Sequence, residues 1–248
     1  MTSFCANNNT SKKQQYDIWV TKTIDYLEST APYLGEGGRC CSVMQSRPEL
    51  DDNPKVLFLG YNADEDFGYC GIDKERFYKG NVKGGFYDER RYTYQWRIWK
   101  KLYDAMDKGA HYNTPMKDGN FIFMNAVYFG SKTIAQLKPV EKECVNSCLA
   151  LTNEVIHCIF KPECIVCFSV SKCFDMLDSE FTFNQIQEFY PSRKDNPSLV
   201  SKHRVKTGIW NGIKTIGIPH PSGRVNNDDW GTIALFLKEQ MSDIAFQS

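Results

Sequence analysis

The chain predicts an α/β fold, a short and mostly parallel sheet of four strands with helices on both faces. Three observations carry that reading. Four short apolar runs, Lys55 to Leu59, Phe121 to Met124, Cys164 to Phe168 and Ile213 to Ile218, are bounded by Gly, Pro, Asn or Ser, as strands buried on both faces are. Stretches of helical period separate the runs, which is the alternation that builds parallel sheets. Finally, Asn211-Gly212 joins Arg204 to Trp210 with Ile213 to Ile218. Both turn residues tolerate positive φ, so the last core strand gains an antiparallel hairpin partner.

The elements follow in order. Residues 1 to 14, rich in Asn, Thr, Ser and Lys, read as a flexible tail, and residues 15 to 248 as a single domain. The first helix carries Tyr16, Val20, Ile24 and Leu27 on one face and stops near Gly35. After the first strand, Asn62 to Arg91 holds many glycines and aromatics without a steady period, and loops of that length are usually functional. Helical spacing returns at Trp96, Trp99, Tyr103 and Met106, then at Cys144, Cys148, Leu151, Val155 and Ile159. A short helix spans Ser169 to Leu177, residues 178 to 202 read as irregular, and Trp230, Ile233, Leu237, Met241 and Ile244 mark a last helix capped from Asn227 to Asp229.

Composition bounds the function. At 248 residues with 42% apolar and 14% aromatic content, the chain has a substantial core and is no disordered polymer. Formal net charge is zero, so a nucleic-acid partner has to be met by a local basic face. The first fifteen residues lack an apolar signal-like run, and no stretch approaches the ~18 apolar residues of a membrane span. The reading is a cytoplasmic protein with no membrane partner. The ten cysteines are then reduced thiols. Cys164 and Cys167 lie three apart in a strand and point to opposite faces, so they cannot chelate together. Cys144 and Cys148 belong to a packing stripe with Val140. No metal is expected, and Cys40-Cys41 receives no role.

In open α/β sheets ligands bind beyond the carboxyl ends of the strands. Asn62, Asn125, Ser169 and His220 follow the four runs and are expected to face one crevice. A histidine there can donate to an oxyanion, act as a base, bind a metal or cap a turn carbonyl. Asparagine amides suit recognition of a base edge, although a turn asparagine often satisfies its own backbone. Ser222 sits in no GxSxG elbow, and neither a P-loop nor a GxGxxG fingerprint follows the first strand. From Gly71 to Lys101 there are nine Lys or Arg against four Asp or Glu, interleaved with Phe77, Tyr78, Phe86, Tyr87, Tyr92 and Tyr94. Ser192 to Lys206 adds Arg193, Lys194, Lys202, Arg204 and Lys206 against Asp195. Basic groups among aromatics suit a groove that follows phosphates and stacks bases.

Gly60-Tyr61-Asn62-Ala63-Asp64, Phe123-Met124-Asn125 and Pro219-His220-Pro221-Ser222-Gly223-Arg224 together resemble the three landmarks of the uracil-DNA glycosylase superfamily. The GxN first turn is similar to its single-strand-selective and mismatch-specific branches. Ala63-Asp64 replaces the Pro-Gly or Pro-Tyr pair of the family's first turn, and Gly223 the final proline of its last. The resemblance covers Lys55 to Gln240 and implies a three-layer α/β/α fold and a monofunctional, monomeric glycosylase. That enzyme hydrolyses the N-glycosidic bond of uracil or a related base in single- or double-stranded DNA, without a cofactor. By the same resemblance Asn62 orients the attacking water, Asn125 reads the base, and His220 stabilises the departing base anion. Gly60, Tyr61, Phe77 and Ser222 shape the substrate site, with Phe77 or Phe67 as stacking platform, and Arg224 and Val225 meet DNA, Val225 as a wedge. Two alternatives stay open: an inactive module of this fold that binds nucleic acid or a free base, and a small-molecule α/β enzyme.

Overall fold

Apolar runs become strands, but the sheet has six strands rather than four. The computed structural model describes residues 10–62, 68–80, 97–117, 119–131, 142–192, 196–198 and 200–246. Its strands are β1 (Val56–Gly60), β2 (Phe121–Asn125), β3 (Cys164–Phe168), β4 (Asn184–Phe189), β5 (Val205–Trp210) and β6 (Ile213–Ile218), in the order β2-β1-β3-β6-β5-β4. Every residue of β1, β2 and β3 is buried, as their unbroken apolar sequences require. β1 with β3 and β3 with β6 pair in parallel, Leu59 opposite Cys167 and Cys167 opposite Gly217. The carboxyl ends of β1, β3 and β6 therefore stand on one edge.

β5 and β6 form the expected antiparallel hairpin, with Asn211 (φ 47°) and Gly212 (φ 86°) both at positive φ, as a type I′ turn demands. The correction concerns β4, which pairs antiparallel with β5 inside the stretch read as irregular. Its sequence, Asn-Gln-Ile-Gln-Glu-Phe, is exposed along almost its whole length, so no buried face imprints an alternating pattern. Gln185 at φ 53° and a register shift between Asn184 and Gln187 mark a bulge on this edge strand.

Six α-helices accompany the sheet among the described residues: α1 (Lys12–Thr30), α2 (Glu75–Lys79), α3 (Arg97–Asp104), α4 (Lys142–Glu154), α5 (Asp175–Phe181) and α6 (Asn227–Gln240). α1 begins three residues inside the expected tail, because Ser11 and Gln14 form a capping box. It ends at Thr30 rather than near Gly35, where Pro32 enters a short 3₁₀ turn, Ala31–Tyr33. No helix among the described residues is long and apolar enough to cross a membrane. Trp96 and Val140 lie outside the described residues.

The chain divides into two compact units, one drawn from Met1–Asn53, Gly60–Lys83 and Ile122–Pro162, the other from Pro54–Leu59, Gly84–Phe121 and Glu163–Ser248. No single cut separates them. In the first unit α1 buries Tyr16, Trp19, Val20, Thr23 and Leu27. The Trp19 indole donates to the Leu151 carbonyl at 2.9 Å, and Tyr16 stacks on Trp19 at 5.5 Å between centroids. A stretch from Cys40 to Ser46 runs antiparallel beside the β2 region, with Met44 opposite Met124 and Cys41 opposite Phe129. In the second unit Trp99 of α3 is fully buried between Phe58 (4.9 Å, edge-on) and Phe121 (4.6 Å). Gly217 lets the turn Val170–Phe174 lie on the sheet, since a Cβ there would meet Phe174 Cβ at 2.8 Å. α6 starts from Asn226, whose side chain accepts the Asp229 N–H at 2.8 Å.

No disulfide joins the nine described cysteines. Burial pushes the Cys148 and Cys164 thiols up to about 12 and the Cys167 thiol up as well, so these are packing groups held as thiols.

Candidate functional site

In the first unit the exit from β1 is fixed by the chain that follows β2. Ala126 N–H donates to the Gly60 carbonyl and Val127 N–H to the Tyr61 carbonyl, both at 2.8 Å. Gly60 is required by close approach, because a Cβ there would lie 2.9 Å from Asn125 Oδ1. Asn125, at 3% exposure, donates its amide to the Ser42 carbonyl at 3.0 Å and receives the backbone of the Cys40–Ser46 stretch through Asn125 N–H to Val43 O at 2.9 Å. Any contact of this amide with a base edge is thus made by a group already bonded to Ser42.

Asn62 is half-buried, and its amide nitrogen donates to Ser131 Oγ at 2.9 Å and Ser131 O at 3.2 Å. These two acceptors decide which end of the planar amide is nitrogen and which is oxygen. Ser131 is 2% exposed and belongs to no motif; a lone serine six residues beyond Asn125 gives the sequence no signal. Ala63, Asp64 and Phe67 lie outside the described residues.

Phe77, the buried residue of α2, packs edge-on against Trp19 at 6.0 Å, and its carbonyl accepts the Tyr16 hydroxyl at 2.6 Å. The ring borders a cavity of about 290 Å³ together with Leu27, Cys40, Cys41, Met44 and Cys70. Its place is in an aromatic core, not on an open stacking face. Phe86, Tyr87, Tyr92 and Tyr94 lie outside the described residues.

In the second unit the residues after β6 form a closed turn. Gly223 N–H donates to the His220 carbonyl at 2.7 Å, a bond a proline at this position could not make. The turn is therefore fixed by a backbone hydrogen bond. Ser222 N–H donates to His220 Nδ1 at 3.2 Å and Ser222 Oγ lies 2.7 Å from the same nitrogen. A ring nitrogen that accepts a backbone N–H carries no proton, so the neutral imidazole holds its proton on Nε2. Phe168 of β3 meets the His220 ring edge-on at 6.3 Å, and Lys101 of α3 reaches the Gly223 carbonyl at 3.5 Å.

Arg224 is exposed. Val225 corrects the expectation of a wedge: at 8% exposure it belongs to the core of the second unit, and a side chain held there does not stand out to enter a duplex. The expected basic face is also modified. Arg204 contacts Glu188 at 3.1 Å and Asp175 at 3.6 Å, and Lys206 contacts Asp175 at 2.7 Å. Lys79 pairs with Glu75, Arg76 with Asp73 and Lys100 with Asp104. Lys100, Arg204 and Lys206 thus pair with acids from outside the two basic segments, while Arg193, Lys194 and Asp195 lie outside the described residues. Among the described residues no three His, Cys, Asp or Glu side chains gather as a metal-ligand set.

Comparison with protein-family models and with curated proteins finds no match.

Proposed function

We propose that the protein is a monofunctional DNA glycosylase, with a three-layer α/β/α fold, that hydrolyses the N-glycosidic bond of uracil or a related damaged base. The observation that carries this reading is the His220 turn. An imidazole whose Nδ1 accepts the Ser222 N–H is a neutral donor through Nε2, the form suited to negative charge developing on a leaving group. The glycosidic bond breaks with its electron pair going to the base, leaving an oxocarbenium sugar and a base anion that accepts the His220 hydrogen bond. Water then adds at the sugar carbon, oriented by the Asn62 oxygen, while the amide nitrogen is anchored on Ser131. One water proton ends on the base, so no cofactor is consumed. Asn62 is a positioning group here and not a base, since an amide has no basic lone pair of use at neutral pH.

A second reading, a binding module of the same fold without turnover, is favoured by the burial of Asn125 and its bond to Ser42. One experiment separates the two. Purified protein in excess is incubated with labelled single- and double-stranded oligonucleotides bearing uracil, hydroxymethyluracil, xanthine or mismatched thymine. Abasic product that disappears in both His220→Asn and Asn62→Ala supports the glycosylase. Saturable binding with no abasic product supports the module, and neither result sinks both.

A further inference from the structure

We propose that Cys41 and Cys70 form a reversible disulfide across the cavity of the first unit, which makes the pair a thiol-oxidation site. Both border the same 290 Å³ cavity. Among the described cysteines Cys70 alone is exposed and Cys41 is half-buried, while Cys40, at 3% exposure, is shut in. Exposure therefore ranks the three thiols in the order in which an oxidant from solvent meets them.

The chain just before Cys70 touches the chain at Gly37 and Gly38, three residues before Cys41. Tyr69 N–H donates to the Gly37 carbonyl at 3.0 Å. A Cβ on Gly38 would fall 2.6 Å from Tyr69 Cβ, and one on Gly68 would fall 2.9 Å from the Gly37 carbonyl oxygen. Only glycines allow two chains to run so close, and Cys70 follows Tyr69 directly. Gly71, at φ 87°, has open space where a side chain would be. A disulfide needs a Cα separation of about 4.4–6.8 Å, and forming it takes the Cys41 thiol from its 3.8 Å contact with the Arg39 carbonyl into the cavity that both cysteines border.

The chemistry balances with a peroxide as oxidant. The Cys70 thiolate attacks one peroxide oxygen, the O–O bond breaks, and a sulfenic acid and one water result once the leaving hydroxide is protonated. The Cys41 thiolate then attacks the Cys70 sulfur, the S–O bond breaks, and a second water leaves. Two thiols and one hydrogen peroxide become one disulfide and two waters, and a dithiol reverses the change. Cys41 precedes Ser42, whose carbonyl holds Asn125, so the bridge bears on that amide; this consequence alone rests on the glycosylase reading.

The test is made on the full chain. Protein is treated with a small excess of hydrogen peroxide, remaining thiols are alkylated, and peptides are mapped by mass spectrometry. The expected result is a peptide joining Cys41 to Cys70 with the loss of two hydrogens. It persists in Cys40→Ser, is absent from Cys41→Ser and Cys70→Ser, and is reversed by dithiothreitol. Cys70 recovered as sulfinic acid with Cys41 alkylated, or joined to Cys40 or any other cysteine, overturns the proposal. Since nothing is read from base excision, an inactive protein leaves the result intact.

Discussion

Ser222 holds His220 by its backbone: the N–H of one lies 3.2 Å from Nδ1 of the other, with the Ser222 hydroxyl at 2.7 Å. His220→Asn is expected to lower single-turnover excision by about 100- to 1000-fold, the range for losing a donor to a developing anion. Ser222→Ala keeps the backbone bond and removes one hydroxyl contact worth about 0.5–1.5 kcal/mol, so its loss is about tenfold or less. Equal losses in the two variants would show that the hydroxyl, not the backbone, sets the tautomer.

Ser131 orients Asn62 through two acceptors. Ser131→Ala removes the shorter one, and kcat is expected to fall by about tenfold with KM for the oligonucleotide unchanged, as for loss of one hydrogen bond. Ser131→Thr restores the hydroxyl and rescues. A KM effect without a kcat effect would mean that Ser131 supports binding only.

Gly60 and Asn125 share one contact, so their substitutions should not add. Gly60→Ala puts a Cβ 2.9 Å from Asn125 Oδ1 and costs about 1–3 kcal/mol of unfolding free energy by overpacking. Asn125→Ala alone costs about 1–3 kcal/mol by stranding the Ser42 carbonyl. Urea unfolding of the double variant should give a loss smaller than the sum, and strict additivity would mean the glycine is not there for the amide.

His157 gives a pH dependence of stability. Burial lowers it from 6.5 to about 4, so the folded chain resists the proton that the unfolded chain takes up. The stabilisation is complete above pH 6.5 and is lost as pH falls toward 4. Its ceiling is about 3 kcal/mol from the pKa interval, reduced because the ring is partly solvent-screened. His157→Gln should remove this loss, so the wild-type minus variant stability difference rises from pH 4 to 6.5, and parallel curves would refute the assignment.

Strands with two buried faces were legible because burial writes an unbroken apolar run, as in Cys164–Phe168. The β5–β6 hairpin was legible from Asn211-Gly212, since positive φ restricts which residues fit. β4 was not, because a strand exposed on both sides leaves composition unconstrained. At the site, strand ends located Asn62 and His220, but their partners Ser131 and Ser222 depend on distance in space; only Ser222, two residues from His220, lies within reach of a sequence motif. Val225 and Phe77 went the other way: hydrophobic residues beside motifs invite functional roles, and packing had already claimed them.

The bond from Trp19 to the Leu151 carbonyl spans 132 residues, which bears on how the protein is made. During synthesis α1 emerges long before α4, so Trp19, Val20 and Leu27 travel uncovered while more than half of the chain is still being translated. Contacts so distant along the chain form late and leave sticky surface open in the meantime. A chaperone that shields apolar nascent helices would find a client segment here, and slowing the ribosome before Leu151 would lengthen the interval of exposure.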